Sequence, residues 1–267
     1  MIFSFLGTGS AFCLKNYHPN ILIENNDNKM LIDAGGDLRF SLKTLGYNYK
    51  DIDSIYISHL HNDHIGGMEY LAFGSYFDAN CNKIHLYIHK LLVDELWFNS
   101  LKGGLGSIQG NTLTLKDYFD IHPLNDGKKF IWQDISFEPI QSIHVFNGSY
   151  VIPTFGLMIT EPDSGKIIYF TSDTQFTPDS QIKYYKKADI VIQDCETLKF
   201  KTGIHAHYDD LKTLDNNIKS KLYLWHYQDN VVEKFNQWQN KAINDGFRGF
   251  IKRGKKLIID KNNVKYE

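Results

Sequence analysis

Cysteine is scarce in this chain. Only three cysteines occur among 267 residues, and their wide spacing cannot supply a disulfide framework or a cysteine-rich zinc site; they are Cys13, Cys81 and Cys195. A reducing, cytoplasmic setting is therefore expected. Proline is sparse too, and its six residues form no linker that would divide the chain. We expect a single domain over residues 1–267.

Excess charge and long apolar runs are also missing. The 29 Lys and Arg nearly balance the 31 Asp and Glu, giving a net charge of −2, which disfavours a general nucleic-acid binder. Only three residues are Arg, the preferred planar reader of phosphate. No run approaches the roughly 20 apolar residues of a membrane span, and the first residues lack the basic segment of a signal peptide. No membrane partner is expected.

Short apolar runs and turn signals predict an α+β protein. Strands are predicted at 2–6, 21–24, 30–32, 55–58, 83–88, 130–132, 135–143, 151–160, 166–171, 190–193, 221–224 and 257–259. Helices are predicted at 37–45, 91–101, 178–186, 209–217 and 231–242. Because the strands come in antiparallel-looking groups with helices between them, a mixed sheet sandwich covered by helices is favoured over a regular βαβ repeat.

Histidine is the abundant exception, and its distribution is uneven. The segment His59-Leu60-His61-Asn62-Asp63-His64 places four potential metal ligands within six residues, directly after a predicted strand. Four ligands exceed the three that a usual catalytic zinc takes from protein, which suggests two metals roughly 3.5–4 Å apart. The plain alternative, a polar loop with coincidental histidines, fits this density poorly.

The segment resembles the His-x-His-x-Asp-His signature of the metallo-β-lactamase superfamily. Other parts of the chain extend the resemblance in the family's order: Leu31-Ile32-Asp33-Ala34-Gly35-Gly36, His144 in Gln-Ser-Ile-His-Val, Asp173 in Tyr-Phe-Thr-Ser-Asp-Thr, and His226 in Leu-Tyr-Leu-Trp-His-Tyr. The resemblance covers nearly the whole chain. It implies an αββα sandwich with two mixed sheets flanked by helices.

The resemblance also implies how the ligands divide. One metal would take His59, His61 and His144, the other Asp63, His64 and His226, with Asp173 bridging. Such a pair of cations lowers the pKa of a shared water enough to supply hydroxide near neutral pH. Zinc is the expected metal, and manganese or iron is compatible with the same nitrogen and oxygen ligands. Asp33 would either orient the ligand loop or only cap a turn.

Three further motifs point to one branch of the superfamily. The opening Phe5-Leu6-Gly7-Thr8-Gly9-Ser10-Ala11 resembles that of the ribonuclease Z and phosphodiesterase branch, as do Cys195-Glu196-Thr197 and Gly203-Ile204-His205-Ala206-His207. By this resemblance His205 protonates the leaving oxygen, Glu196 orients His205, and Asp63 belongs to the catalytic set. His207 could replace His205, contact a phosphate or cap a helix. The other four histidines look incidental: His18, His85, His89 and His122.

The chain departs from ribonuclease Z between His144 and Asp173. Only 29 residues separate them, and two predicted strands use nearly all of these, so the family's long tRNA-gripping arm does not fit. The basic tail after Phe247 could contact RNA but is more simply a solvated face. A metal-dependent hydrolase of a small phosphodiester, such as a cyclic nucleotide, is therefore the preferred function. The alternatives are a tRNA 3′-end endonuclease, a lactone or ester hydrolase, and a non-enzymatic metal-bound sensor.

One segment has no counterpart in these motifs. Residues 97–119 are aromatic at both ends and rich in glycine between them. Such a segment could close over the site as a lid or form the contact of a homodimer. The sequence does not choose between these two roles.

Overall fold

A computed structural model describes residues 1–261 and 263–267 of the chain. The strands of these residues are β1 (Ile2–Gly7), β2 (Asn20–Asn25), β3 (Asn28–Ile32), β4 (Ser54–Ile57), β5 (Ile84–His89), β6 (Ser107–Ile108), β7 (Asn111–Thr112), β8 (Phe119–Leu124), β9 (Phe130–Trp132), β10 (Ile135–Phe146), β11 (Val151–Thr160), β12 (Ile167–Phe170), β13 (Ile190–Asp194), β14 (Leu222–Trp225), β15 (Gly249–Phe250), β16 (Lys256–Ile259) and β17 (Val264–Tyr266). The helices are α1 (Leu38–Thr44), α2 (Asn62–Ile65), α3 (Met68–Phe77), α4 (Lys90–Leu96), α5 (Lys102–Leu105), α6 (Leu115–Tyr118), α7 (Pro178–Lys187), α8 (Tyr208–Leu211), α9 (Asn216–Lys219), α10 (Asp229–Glu233) and α11 (Phe235–Asn244).

Two large mixed sheets form the centre of the fold. The first has the strand order β17-β16-β1-β2-β3-β4-β5-β8, and the second has the order β15-β14-β13-β12-β11-β10-β9. In each sheet an antiparallel part leads into a parallel part, which begins at the β3–β4 pair in the first sheet and at the β12–β13 pair in the second. The short ribbon β6–β7 lies outside both sheets.

Alternation along the strands divides the core into layers. In β13, Ile190 and Ile192 belong to the core shared with the first sheet, whereas Val191 packs with residues of the helices that cover the second sheet. The period of two follows from successive side chains pointing to opposite faces of a strand. Helices α1 and α3 contribute Leu38 and Leu71 to the core of the first sheet. The result is the predicted αββα sandwich.

The long strands, α1 and α7 follow the predictions, and other regions differ. The elements α2, α3, α6, β6, β7, β15 and β17 have no predicted counterpart. Residues 209–217 form two short helices, α8 and α9, with a turn between them, and residues 231–242 divide into α10 and α11. The predicted helix at 91–101 is α4 followed by a π-helical turn, Trp97–Leu101, and the chain continues from this turn into α5. Strand β8 lies at a sheet edge and was not predicted, because Asp120, His122 and Pro123 interrupt its apolar pattern.

The 97–119 segment is packed onto the first sheet's side of the molecule. It holds the π-helical turn, α5, the β6–β7 ribbon and α6. Leu105 and Tyr118 are buried in the main core, and the Tyr118 ring makes an edge contact with Phe73 of α3. Among the described residues, no helix combines the length and the apolar character needed to cross a bilayer.

Candidate metal centre

The candidate ligands gather where parallel strands end. The segment with His59 and His61 follows β4, Asp173 follows β12, and His226 follows β14. The carboxyl ends of parallel strands meet at one edge of a sheet, which is where ligand sites of α/β proteins usually form. Because the two sheets face each other, the ends of β4, β12 and β14 bring these side chains to one place. His144 reaches the same place from the far end of β10.

The backbone is held in unusual conformations at this place. Asp33, Ser172 and His226 have φ values of 61°, 51° and 61°, in the left-handed region that residues with a side chain rarely adopt. Each follows directly, or within two residues, the end of a parallel strand. Strain of this kind persists where the surrounding structure enforces it, and it concentrates at functional sites.

The first ligand group comprises His59, His61, His144 and Asp173. Nδ1 of His61 lies 3.1 Å from Nε2 of His59 and 3.1 Å from Nε2 of His144. Oδ2 of Asp173 lies 3.7 Å from Nε2 of His59 and 3.6 Å from Nε2 of His144. These separations suit ligand atoms arranged around one cation with bonds of about 2.0–2.2 Å.

The second group shares Asp173 with the first. Nε2 of His64 lies 3.4 Å from Oδ2 of Asp63 and 3.3 Å from Oδ1 of Asp173. Nε2 of His226 lies 3.2 Å from the same Oδ2 of Asp63. Each group therefore offers convergent ligand atoms, and the two carboxylate oxygens of Asp173 face different groups.

Hydrogen bonds behind the imidazoles fix which nitrogen faces inward. Nδ1–H of His144 donates to the Ile204 carbonyl at 2.8 Å, and Nδ1–H of His64 donates to Oδ2 of Asp33 at 2.8 Å. Because these acceptors cannot donate, the nitrogen that carries the lone pair in the neutral form of either ring is Nε2. Nε2 of His64 and Oδ1 of Asp173 are buried and have no hydrogen-bond partner among the described residues. Converging lone pairs without donors are what a cation site requires, so the residues fit the metal ions that the fold implies.

The electrostatics agree with cation binding. Burial lowers the pKa of His144 to about 4, so this ring is neutral and able to ligate. Burial alone would raise the pKa of Asp173, but His226 and His64 hold it well below its usual value. Conversely, burial would lower the pKa of His226, yet Asp173 and the hydrogen bonds to carboxylates raise it to about 10. The buried carboxylates thus create a field that favours positive charge at the centre.

Asp33 supports the ligand loop from behind. Its carboxylate accepts hydrogen bonds from the backbone N–H and the hydroxyl of Ser58, each at 2.8 Å, and from His64 at 2.8 Å. Since the Ser58 hydroxyl donates to Asp33, its oxygen accepts from Nδ1–H of His59 at 3.1 Å. Of the two roles open from the sequence, Asp33 has the orienting one. A Cβ on Gly35 would lie 2.3 Å from the Asp63 carbonyl, so glycine permits the close approach of this backbone to the ligand loop.

His205 lies beside the centre, but its carboxylate partner is not the predicted one. Nδ1–H of His205 donates to Oδ2 of Asp194 at 2.8 Å, whereas Glu196 accepts from the Thr202 backbone N–H at 3.0 Å. The expectation that Glu196 orients His205 is therefore corrected in favour of Asp194. Burial lowers the pKa of His205, and Asp194 more than offsets this and raises it. Asp194 also accepts from Nδ1–H of His226 at 3.2 Å, so one carboxylate fixes both rings.

A cleft of about 500 Å³ opens onto the centre. His61, Asp63, His144 and Asp173 contribute to its floor, and its walls include Phe12, His18, Glu196, Leu198 and His205. His18 was predicted to be incidental, and its place in the cleft wall was missed because His18 has no motif neighbour in the sequence.

His207 caps α8 by accepting from the Asp209 backbone N–H at 3.2 Å. His85 and His122 lie with Asp120 on the exposed edge formed by β5 and β8, away from the cleft lining.

The chain is similar to known proteins over most of its length. Residues 1–257 match the sequence profile of the family described as anti-Pycsar protein Apyc1. Proteins of that description from Paenibacillus sp. (strain J14) and Bacillus phage 010DV004 are 32% and 34% identical to the chain, over 229 and 248 residues. These alignments cover 85% and 88% of this chain and 89% and 92% of the relatives.

Solved structures confirm the fold. The metallo-β-lactamase fold protein YhfI from Bacillus subtilis superposes with a TM-score of 0.71 at 18% identity, covering 96% of this chain and 97% of its own. A diphosphatase from the PhnP family gives 0.73 at 18% identity, covering 97% and 98%. Zn²⁺-bound PqqB from Methylobacterium extorquens gives 0.74 at 12% identity, covering 97% and 100%. The predicted metallo-β-lactamase fold is therefore confirmed.

Proposed function

The chain belongs to the anti-Pycsar protein Apyc1 family and is a metal-dependent hydrolase, and from this premise we propose that it is a dinuclear phosphodiesterase acting on small cyclic nucleotides. One observation carries the proposal: two ligand groups share Asp173 at the floor of a cleft whose wall holds His205. The resulting site combines a place for two cations with a positioned proton donor, the two requirements for hydrolysis of a phosphodiester.

Different residues of the site would bind the cations and donate the proton. His59, His61 and His144 would hold one cation, Asp63, His64 and His226 the other, and Asp173 would contact both. When bound, the cations supply Lewis-acid activation of water and of the phosphate. His205 holds a proton for the leaving oxygen, and Asp194 keeps its ring aimed and its pKa raised. As the P–O bond breaks, that proton passes from His205 to the oxygen and a monophosphate ester remains.

The size of the cleft favours a single nucleotide. A volume of about 500 Å³ falls within the range of small-molecule sites, roughly 300–1,000 Å³. Residues 147–150 and 161–166 form only short connections around β11, leaving no extended arm between His144 and Asp173 for gripping an RNA. A phosphodiester contained in one nucleotide is necessarily cyclic. The net charge of −2 and the three arginines support the same choice.

Zinc is the proposed metal in both positions. The ligands are imidazole and carboxylate throughout, which suits Zn²⁺ and is also compatible with manganese or iron. A reducing, cytoplasmic setting belongs to the same proposal. It is supported by Cys13, Cys81 and Cys195, which are free thiols.

Metal analysis and hydrolysis assays test the proposal. Protein produced with added Zn²⁺ or Mn²⁺ is expected to contain about two metals per chain and to hydrolyse cyclic nucleotides, with less activity on a tRNA precursor or on lactones. Asp173→Ala is expected to abolish metal binding and activity. His85→Ala is the matched control, since this histidine lies on the exposed β5–β8 edge and is expected to keep both.

Specific outcomes would contradict each part. Less than one metal per chain under these conditions would refute the assigned ligands. Preference for lactones over phosphodiesters, or for the tRNA precursor over cyclic nucleotides, would replace the proposed substrate class. A metal-loaded protein without hydrolytic activity on any of these substrates would indicate a metal-bound sensor.

A further inference from the structure

Glu196 is a buried carboxylate with one unused oxygen at the cleft. The residue is 1% exposed, and its Oε2 accepts a hydrogen bond from the Thr202 backbone N–H at 3.0 Å. Oε1 is buried and has no hydrogen-bond partner among the described residues. Leaving a buried acceptor unsatisfied costs free energy, and because Glu196 lines the cleft, a molecule bound there can supply the missing donor. We therefore expect Oε1 of Glu196 to accept a hydrogen bond from the molecule that occupies the cleft.

The backbone places Glu196 next to the proposed proton donor. The N–H of Glu196 donates to the Ala206 carbonyl at 2.9 Å, and its carbonyl accepts from the Tyr208 N–H at 2.9 Å. This short parallel bridge fixes Glu196 against the residues that directly follow His205. Asp194, two residues before Glu196, holds the His205 ring. The backbone bridge therefore holds the unsatisfied oxygen of Glu196 and the proposed proton donor, His205, on adjacent segments of the chain.

The chemistry of a cyclic ribonucleotide supplies a donor in the matching place. Opening a 3′,5′-cyclic phosphate to a 5′-monophosphate breaks the P–O3′ bond, adds the oxygen of water to phosphorus and delivers a proton to O3′. The only free ribose hydroxyl, the 2′-hydroxyl, is attached to the carbon next to the one that carries O3′. A cyclic nucleotide whose O3′ faces His205 therefore carries its 2′-hydroxyl in the same part of the cleft, and Glu196 lines this cleft together with His205. A carboxylate oxygen only accepts hydrogen bonds, so it selects a hydroxyl donor there.

We propose that Glu196 forms a ribose-binding subsite, in which Oε1 accepts a hydrogen bond from the 2′-hydroxyl of the cyclic nucleotide. The assignment rests on the proposed function and extends it, because it makes the enzyme selective for ribonucleotides over 2′-deoxyribonucleotides. It also gives Glu196 a role separate from the positioning of His205, which Asp194 performs. Since every ribonucleotide carries the 2′-hydroxyl, the selection is independent of the base.

The experiment compares ribose and 2′-deoxyribose substrates on the metal-loaded protein. We would measure kcat/KM for the four ribonucleoside 3′,5′-cyclic monophosphates and for their 2′-deoxy counterparts. A hydrogen bond to a charged group predicts that the wild-type protein favours the ribo form by about 10- to 100-fold, to a similar extent for each base. Glu196→Ala is expected to reduce this ratio to below about threefold by slowing the ribo substrates. Glu196→Gln, of the same size, is expected to give an intermediate ratio.

A matched control separates recognition from structural damage. Leu198 lines the same cleft two residues away but has no polar group. Leu198→Ala is expected to slow ribo and 2′-deoxy substrates alike and to keep the wild-type ratio. Thermal melting and metal content report whether each variant folds and retains its cations. If Glu196→Ala does not fold, the wild-type ratio and Glu196→Gln still decide the question.

The outcomes distinguish the inference from its premise. Equal kcat/KM of the wild-type protein for ribo and 2′-deoxy forms overturns the subsite while the phosphodiesterase remains. A ratio that survives in both Glu196 variants does the same. A preference that follows the amino groups of the base, separating adenine, cytosine and guanine from uracil, would assign Glu196 to the base instead. Failure of the wild-type protein to hydrolyse any of these compounds overturns the proposed function itself.

Discussion

The substitution Asp194→Asn tests how the site holds its acid. The Asp194 side chain is fully buried and accepts hydrogen bonds from His205, from His226 and from the Thr174 backbone N–H at 3.0 Å. Asparagine keeps the volume and removes the charge. With charge centres about 4 Å apart and an effective dielectric constant near 20, the carboxylate stabilises protonated His205 by about 4 kcal/mol. This corresponds to a fall of about 2 to 3 units in the pKa of His205.

The sign of the effect sets the expected pH profile. His205 acts in its protonated form, so the wild-type activity declines as the pH rises through its raised pKa. Without the Asp194 charge, burial dominates and lowers the pKa, which moves the alkaline decline to lower pH by about 2 to 3 units. At about pH 7.5 the variant is expected to lose about 10²- to 10³-fold in kcat on a cyclic nucleotide.

The choice of leaving group makes the assay specific for the acid. The alkoxide released from a cyclic nucleotide needs a proton, whereas p-nitrophenolate released from bis(p-nitrophenyl) phosphate hardly does. Asp194→Asn and His205→Ala are therefore both expected to lose less than about tenfold on the nitrophenyl ester. Metal content must be measured in parallel, because Asp194 also supports His226. An equal loss on both substrates with unchanged metal content, or an alkaline decline that does not move, would refute the assignment.

Three further predictions concern other parts of the site. Removing the metals with a chelator is expected to lower Tm by about 10 °C, because the lone pairs and carboxylates of the ligands are left facing one another. Added Zn²⁺ should restore the original Tm. An unchanged Tm would contradict cation binding. Asp33→Ala leaves Ser58 and His64 without their hydrogen-bond acceptor. Denaturant unfolding should show that the free energy of unfolding falls by about 3 kcal/mol, and metal titration should show a 10- to 100-fold lower metal affinity. Phe12 is 93% exposed and lines the cleft, so Phe12→Ala should change the free energy of unfolding by less than about 0.5 kcal/mol. The same substitution should raise KM for cyclic nucleotides about tenfold, because the base loses its stacking contact. An unchanged KM would exclude that contact.

Local spacing explains why much of the site could be named from the sequence. Four of the seven proposed ligands fall within six residues, and a cluster of that density is recognisable from the sequence alone. His144, Asp173 and His226 are isolated in the sequence and were placed by their order and by the strands that precede them. The structure brings all seven side chains together because parallel strands of both sheets end at one edge. Apart from Asp33, the sequence did not indicate the hydrogen-bond partners behind the ligands: the Ser58 hydroxyl accepts from His59, and the Ile204 carbonyl accepts from His144.

Two of the differences from the predictions arise where the local sequence pattern conflicts with the position in the fold. Strand β8 pairs with β5 at a sheet edge, where Asp120 and His122 face solvent and Pro123 is tolerated. Residues 209–217 contain apolar residues at helical spacing, yet the chain turns at Asp215, which begins a new helix. In both cases tertiary position overrides the local signal, since an edge strand needs fewer apolar residues and a short helix is held by packing.

The sequence could not identify which carboxylate, Asp194 or Glu196, accepts the hydrogen bond from His205. Both carboxylates lie at or just beyond the end of β13, two residues apart, so the period of a strand gives them the same side of the chain. A histidine that needs an acidic partner could be served by either, and spacing does not distinguish them. Asp194 reaches two imidazoles because it still belongs to the strand that runs beside β14 and His226, whereas Glu196 is drawn into the bridge with His207. The division leaves Asp194 with its charge fully engaged and Glu196 with one free oxygen, and that asymmetry is what separates a positioning residue from a substrate-binding one.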